Sequence, residues 1–583
     1  MPSESFIAGK DASLESSIGT MRAKLEALGF HVEERSWLNP VDGIWSVHLR
    51  DRDCPLMFTN GKGASRLAAL ASALGEYFER LSCNYFWNHY YLGRAYAEDE
   101  AGRGFVHDPR ERWFQLGEED GDNGEWPEGL LTPELRRFYN PKGGIHAGAL
   151  VDFNSGNAER GICAIPYKRL RDDAEVHFPV NIIANLYVSN GMSAGNTPAE
   201  ARTQALSEIF ERHIKFRIIS EGLCLPDVPE AVIARYPGIA AGIAGLRAAG
   251  FGILVKDASL GGRFPVMNVT LLHPDDQGCF SSFGAHPRFE IALERALTEL
   301  LQGRALDALA GFPEPGFDLE EIASAPNIEI HFVDSSGIVS WNFLGAKPDF
   351  EFHDWNFSST TAEDYAWSVD AIHALGHDIY IADFDHLGVY ACRILVPGMS
   401  EIYPVDDLEW ENNSVANNIR EAILYLPDLD DDECADLLET LNESGLADER
   451  LVAALIGLAP GDDPFWKDLR VGELKTLLAL AIGDEEAIAE GCEWVRHFEQ
   501  INPDRRRVYR CVECLLKLDD SDRYSGALES LYGAETLGQA KALLDGELRF
   551  FGQPAPGLDL AGCDMHQRLL AAYGKLHGSG ASR

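Results

Sequence analysis

One helical phrase occurs twice: Ala73-Leu74-Gly75-Glu76-Tyr77-Phe78-Glu79-Arg80 and, 132 positions later, Ala205-Leu206-Ser207-Glu208-Ile209-Phe210-Glu211-Arg212. A helix brings positions three and four apart onto one face, so each copy aligns two carboxylates with an arginine and turns its phenylalanine the other way. Both helices need a core for their apolar sides. The duplicated acid pairs point to one site shared between them.

The second copy is fuller. Asn196-Thr197-Pro198-Ala199-Glu200 opens it, and Glu200, Gln204, Glu208 and Glu211 follow down one stripe, while Leu206, Phe210 and Ile214 form the apolar stripe. In the first copy Leu67, Ala71, Leu74, Phe78 and Leu81 make the core stripe, leaving Ser72, Glu76, Glu79, Arg80 and Cys83 on the far side. Five glutamates therefore have polar faces to share.

Carboxylates are hard oxygen ligands suited to Mg²⁺, and crowding them without a cation raises their pKa values by repulsion and desolvation. Guanidinium groups bind phosphate oxygens in planar, bidentate geometry. Acid and base together read as metal plus nucleotide. Two simpler readings compete. Glu76/Arg80 and Glu208/Arg212 are i,i+4 pairs that a solvated helix face also uses, and Thr197-Pro198-Ala199-Glu200 is a capping box with proline at the first helical position. Neither explains why order, spacing and aromatic placement repeat.

At 583 residues the chain exceeds a single hydrophobic core, and two or three domains are expected. Its formal charge of -43 repels nucleic acid and anionic membrane surfaces, so a direct partner is expected to be basic. Adaptation to a salty cell accounts for the surplus equally well. No charged n-region with an apolar run opens the chain and no apolar stretch is long enough to span a bilayer, which leads to a cytoplasmic expectation. The 11 cysteines are scattered, as free thiols in a reducing compartment would be. Cys511-Val512-Glu513-Cys514 reads as two thiols on a helix.

To about residue 400 the chain alternates strands and helices, which predicts an α/β or α+β domain. Runs at 44–50, 180–186, 251–256, 266–272, 328–333 and 379–382 have strand composition. A third amphipathic helix is predicted over 287–309, with Arg288, Arg295, Glu299 and Gln302 on its polar face. Glycine-rich turns at 60–63 and 190–196 precede the glutamate helices and would bring backbone N–H groups to phosphate oxygens. A surface insertion is expected near 117–133, within 90–145. The boundary falls at 410/411, and 411–583 reads as consecutive helices. Residues 473–488 are similar to a tetratricopeptide unit, with an ordinary helical bundle as the alternative. So few repeats cannot bury a core alone, so this domain must dock on the first or on another subunit.

The paired Ala-Leu-x-Glu-x-Phe-Glu-Arg segments, Gly191-Met192-Ser193-Ala194-Gly195-Asn196, Ala292-Leu293-Glu294-Arg295-Ala296-Leu297-Thr298-Glu299 and Arg393-Ile394-Leu395-Val396-Pro397-Gly398 together resemble the YcaO family over nearly the whole length. The resemblance implies a YcaO-type ATP-binding α/β (α+β) domain followed by an all-α, tetratricopeptide-like domain. It implies ATP and Mg²⁺ as cofactors, Glu76, Glu79, Glu200, Glu208 and Glu211 as Mg²⁺ ligands, and Lys10, Ser17, Arg80, Asn196, Arg212 and Arg295 as nucleotide contacts. Lys10 and Ser17 rest on it alone. Characterised members phosphorylate a peptide amide oxygen, giving azoline, amidine or thioamide products. Azoline-forming members commonly end in a proline-rich tail, whereas this chain ends His577-Gly578-Ser579-Gly580-Ala581-Ser582-Arg583. Members with a helical extension in its place assist β-methylthiolation of the twelfth small-subunit ribosomal protein, a basic protein, with a radical-SAM methylthiotransferase as partner. Such a member would hydrolyse ATP and is expected to be a homodimer. A peptide-modifying enzyme and a non-catalytic nucleotide-binding adaptor are the alternatives.

Overall fold

A computed structural model describes residues 4–94, 105–117, 124–405 and 416–578. Helix α1 (Leu14–Ala27) leads into an antiparallel sheet of β1 (Val32–Val41), β2 (Ile44–Asp51) and β3 (Phe58–Gly63), against which α2 (Arg66–Ser82), the first glutamate helix, packs. A larger sheet runs β4 (Arg112–Phe114), β5 (Ile162–Arg169), β11 (Tyr380–Phe384), β12 (Tyr390–Leu395) and β7 (Met192–Gly195), with β6 (Glu175–Pro179) also on β5. Strand β7 runs into α3 (Pro198–Glu221), the second glutamate helix. Helix α4 (Pro237–Ala248) precedes a third sheet of β8 (Gly252–Asp257), β9 (Val266–Leu272) and β10 (Cys279–Ala285), covered by α5 (Phe289–Leu300). Every pairing between these described strands is antiparallel, which puts the first domain in the α+β class.

Each apolar stripe finds its core. Phe78 and Phe210 are fully buried, on the side of each helix away from its glutamates. Ser65 caps α2 by accepting from Ala68 N at 3.2 Å, and Gly222 closes α3 in the left-handed conformation. Three positions in and just after α2 differ from the expected faces. Leu67 is exposed, Ala71 lies at the edge of a cavity, and Cys83 is buried with its thiol against the Cys392 carbonyl.

Several expected elements change type. The glycine-rich stretch at 60–63 is not a turn but the end of β3, and a Cβ on Gly61 would stand 2.0 Å from the Ala69 carbonyl. The side chain is absent so that strand and helix can touch. Residues 180–186 are not a strand: they form a helical turn and then a π-turn (Ile183–Tyr187) ending at Val188, whose φ of 49° is left-handed. Arg393 donates to the Ile183 carbonyl at 3.1 Å and to the Val188 carbonyl, closing groups that the irregular turn leaves open. Residues 328–333 belong to helix α6 (Ala325–Val333), started by Pro326. The third amphipathic helix stops at Leu300, and Arg288 is its cap residue, turned away to a bidentate pair with buried Asp364. Residues 124–133 are only partly a surface excursion: Glu125, Glu128, Gly129 and Pro133 are exposed, while Trp126, Leu130 and Leu131 are buried in the core of the largest sheet. Residues 95–104 and 118–123 of the expected insertion, the 410/411 boundary and the last five residues lie outside the described residues.

Helix α7 (Thr361–Ala374) completes the first domain. Beyond it come α8 (Asn417–Leu424), α9 (Asp431–Glu443), α10 (Val471–Ile482), α11 (Glu485–His497), α12 (Pro503–Leu516), α13 (Ser525–Tyr532), α14 (Ala534–Leu544) and α15 (Asp564–Gly578), most of them around a core of their own. The last helix leaves that core. Leu569, Ala572, Tyr573 and Leu576 pack among residues of α1, α2 and β2, and Trp87 Nε1 donates to the Leu569 carbonyl at 3.1 Å. Buried His566 donates from Nε2 to the Tyr91 carbonyl at 2.8 Å. The helical part thus docks on the first domain, and α15 backs the first glutamate helix. No described helix is long and apolar enough to cross a membrane.

Candidate functional site: a carboxylate-lined cavity between two helices

Three strand-to-helix units surround one cavity of about 680 Å³: β3 into α2, β7 into α3, and β10 into α5. All eleven residues singled out from the sequence line it. Glutamates of both α2 and α3 line it, α5 supplies Arg295, the segment before α1 supplies Lys10, and α1 supplies Ser17.

The duplicated phrase gives duplicated geometry. Arg80 donates to Glu76 Oε1 from Nε at 3.1 Å and Nη2 at 2.8 Å, and Arg212 pairs with Glu208 while also donating to Asn190 Oδ1 at 3.2 Å. In each helix the first glutamate is held by the arginine four residues on. The second glutamate of each pair is not: the side-chain carboxylates of Glu79 and Glu211 have no hydrogen bond or ion pair among the described residues, although both residues line the cavity. Loss of water, then the charge of Glu208, pushes the Glu79 carboxyl well above the usual carboxylate range. Burial also raises Glu208, against the pull of Arg212. A solvated helix face laced with salt bridges does not explain unpaired carboxylates turned inward.

Glu200 differs from the other four. Buried at the start of α3, it accepts from Lys10 Nζ at 3.1 Å, Asp11 N at 3.0 Å and Asn196 Nδ2 at 2.9 Å and 3.2 Å. Ser17 Oγ donates to Asn196 Oδ1 at 2.8 Å, tying α1 to the same cluster. Only half of the expected capping box forms: Thr197 Oγ1 accepts from Glu200 N at 3.2 Å, but the carboxylate turns to Lys10 and Asp11 of the leading segment instead of back to Thr197. Arg295 donates to the Ala285 carbonyl at 2.8 Å and to Gln204.

The sequence reading missed one cation. Lys62, on β3 between the two glycines, pairs with Glu299 of α5 and donates to Gln302 Oε1 at 3.3 Å inside the cavity. Burial lowers its pKa, against the pull of Glu211 and Glu76. Glu299 and Gln302 share the polar face of Arg295, but the alternation Asn60-Gly61-Lys62-Gly63 directs Lys62 away from α2 only once it is known to be a strand.

Among the described residues no three carboxylate, imidazole or thiol groups already converge as a metal cage. Mg²⁺ does not need one, since it is held by one or two carboxylates with phosphate oxygens and waters completing the shell. The donor set fits that demand: unpaired hard anions on facing helices, with three guanidinium groups and two ammonium groups around them for the phosphates.

Residues 60–400 match the family model described as YcaO cyclodehydratase, ATP- and Mg²⁺-binding, and residues 416–581 match the YcaO cyclodehydratase C-terminal domain. The chain is 50% identical over 582 residues to the ribosomal protein S12 methylthiotransferase accessory factor YcaO of Escherichia coli (strain K12), covering 98% of each chain. It is 47% identical over 586 residues to an uncharacterized protein of Haemophilus influenzae, covering 99% of this chain and 98% of that one. A distant likeness in fold is to YcaO from Methanopyrus kandleri bound with AMPPCP and Mg²⁺, at 17% identity and a TM-score of 0.41 over 68% of this chain and 95% of that one. Matched along both parts of its length, the chain belongs to the YcaO family, whose model is one of ATP and Mg²⁺ binding.

Proposed function

We propose that this protein binds and hydrolyses Mg²⁺-ATP in the cavity between α2 and α3, and that it does so as an accessory factor in β-methylthiolation of a small-subunit ribosomal protein. The observation that carries the site is the pair of unpartnered carboxylates, Glu79 and Glu211, facing one cavity from two helices that share a sequence phrase. The Escherichia coli relative, similar over 98% of both chains and named for the S12 methylthiotransferase, supports the biological role.

In this reading Glu76, Glu79, Glu200, Glu208 and Glu211 hold Mg²⁺, and Lys10, Ser17, Arg80, Asn196, Arg212 and Arg295 contact the nucleotide. Bound there, Mg²⁺ and ATP supply charge neutralisation and a phosphoryl group for a peptide amide oxygen. What the chain's own residues do is orient and neutralise. Arg80 and Arg212 are held by the glutamates four residues before them, so their guanidinium planes are set before any phosphate arrives. No cysteine or aspartate is among the described lining residues, and His286 accepts from Arg288 N at 3.0 Å, so neither a thiol nucleophile nor a Ser-His-Asp set is built here.

The test is genetic and enzymatic. A deletion strain should lose methylthiolation, recover it with the wild-type chain and fail to recover it with Glu208→Gln. Purified protein with the methylthiotransferase and ribosomal substrate should release ADP or AMP. ATP binding with no turnover under any of these conditions would select the adaptor reading, and an azoline or thioamide product on a peptide would select the peptide-modifying one.

A further inference from the structure

The segment from Gly316 to Trp341 carries an unusual share of exposed apolar surface. Phe317 is 85% exposed, Val333 71%, Trp341 48%, Ile330 45% and Leu319 39%. The Phe317 and Trp341 rings stack 5.9 Å apart at 24°. Their backbones are fixed side by side by a parallel bridge, with Gly316 N donating to the Val339 carbonyl at 2.8 Å and Trp341 N to the Gly316 carbonyl at 3.0 Å. These are preset anchors at low entropy cost.

Within the segment the charge has one sign, and Arg304, from outside it, pairs with Asp334 at 3.7 Å. Between 314 and 342 stand Glu314, Asp318, Glu320, Glu321, Glu329 and Asp334, with no lysine or arginine. Glu314, Glu320 and Glu321 are exposed and have no ion pair among the described residues. The inner side is polar and tied down. Asn327 donates to the Ile322 carbonyl at 2.7 Å and accepts from Ile338 N at 2.8 Å, and buried Lys215 of α3 donates to Ser335 Oγ at 2.8 Å and to the His331 carbonyl.

We propose that this face docks a lysine- or arginine-rich segment of another protein bearing an aromatic or aliphatic anchor. A stacked aromatic pair supplies the kind of rigid apolar centre on which interfaces concentrate their energy, and the exposed, unpaired carboxylates of Glu314, Glu320 and Glu321 on the same segment steer and select a basic partner. The same carboxylates disfavour the other occupants. Nucleic acid presents phosphates of like charge. A second copy meeting face to face would set each acidic patch against its own image, because a two-fold contact pairs a surface with itself.

Fluorescence anisotropy with the full-length protein tests it, using a short labelled peptide of alternating lysine and leucine with one tryptophan. Two controls accompany it, one with serine in place of leucine and tryptophan, the other with glutamate in place of lysine. Phe317→Ser/Trp341→Ser and Glu320→Lys/Glu321→Lys should each weaken binding of the first peptide about tenfold or more, with unchanged melting temperature and unchanged Mg²⁺-nucleotide binding. The serine peptide should bind more weakly than the first, and the glutamate peptide not at all. Equal binding of the first peptide by wild type and both variants would reduce the effect to overall negative charge and overturn the proposal. So would absence of binding to wild type. Sedimentation showing that Phe317→Ser/Trp341→Ser dissociates a dimer, with peptide binding intact, would assign the face to a second copy instead.

Discussion

At the residue scale, the carboxylates around the cavity do not share one environment. Glu76 and Glu208 are paired, Glu200 is saturated by donors, and Glu79 is desolvated beside another anion. Glu79→Gln therefore removes a repulsive group from the free protein. It is expected to leave the melting temperature in EDTA unchanged or raised, while abolishing the further rise that Mg²⁺-ATP gives the wild type. A large drop in EDTA would mean Glu79 is structural. Glu208→Gln frees Arg212 from its alignment and is expected to cut ATP turnover by about a hundredfold or more, measured as phosphate or pyrophosphate release. Much of this was legible, because carboxylates and arginines at helical spacing have few ways to be arranged. Lys62 was not, because a lysine between two glycines reads as a loop charge until its strand partner is known. That partner, β2, pairs through Val47 and Ser46, positions no local pattern ties to 60–63.

Elements were legible where periodicity and composition agree. Both glutamate helices, β2, β8, β9 and most helices after residue 416 stand close to where their patterns put them. The failures share a cause: β-branched runs at 180–186 and 328–333 have strand composition, but neighbours override it. Ser324-Ala325-Pro326 was a helix-start signal that the run Ile328-Glu329-Ile330 masked, and Asn327 completes the choice by bonding across to Ile322 and Ile338. Strand β5 was passed over because Pro166 interrupts it, and β10 because serines fill it. A sharp test belongs to β3. Gly61→Ala places a methyl group against the α2 backbone and is expected to cost about 1–3 kcal/mol or more in denaturant unfolding, with weakened nucleotide binding as α2 is displaced. Normal stability in that variant would mean the strand and helix are not in contact.

For the whole molecule, the docking of the helical part is the part the sequence left open between two surfaces. The structure puts it on the first domain through α15, whose Tyr573 OH donates to the Val106 carbonyl at 2.5 Å. Tyr573→Ala is expected to cost about 3–5 kcal/mol and to lower the stability of the glutamate-helix region together with the tail, seen as a single calorimetric transition moving down. Two separated transitions would show the parts unfold independently. Nearby, His107 Nε2 lies 2.6 Å from Asp152 Oδ2. Burial works against its charge, but Asp152 outweighs it and raises the pKa above the ordinary 6.5. The folded state then holds the proton more tightly, so this stabilisation is complete below about pH 6.5 and fades as pH rises through the raised value. Melting temperature should fall with pH above about 6.5 more steeply in wild type than in His107→Gln. Equal slopes would remove the pair from the account.

Glu200 carries one more consequence. Its four accepted contacts occupy about as many lone-pair directions as a carboxylate has, and two of them come from Lys10 and Asp11, nearly two hundred residues away in the chain. The leading segment is thus buttoned to the second helix by the very oxygens that a cation would claim. Loading the cavity and undoing that fastening become one event, and occupancy of the site should be readable as protection or release of the backbone amide of Asp11.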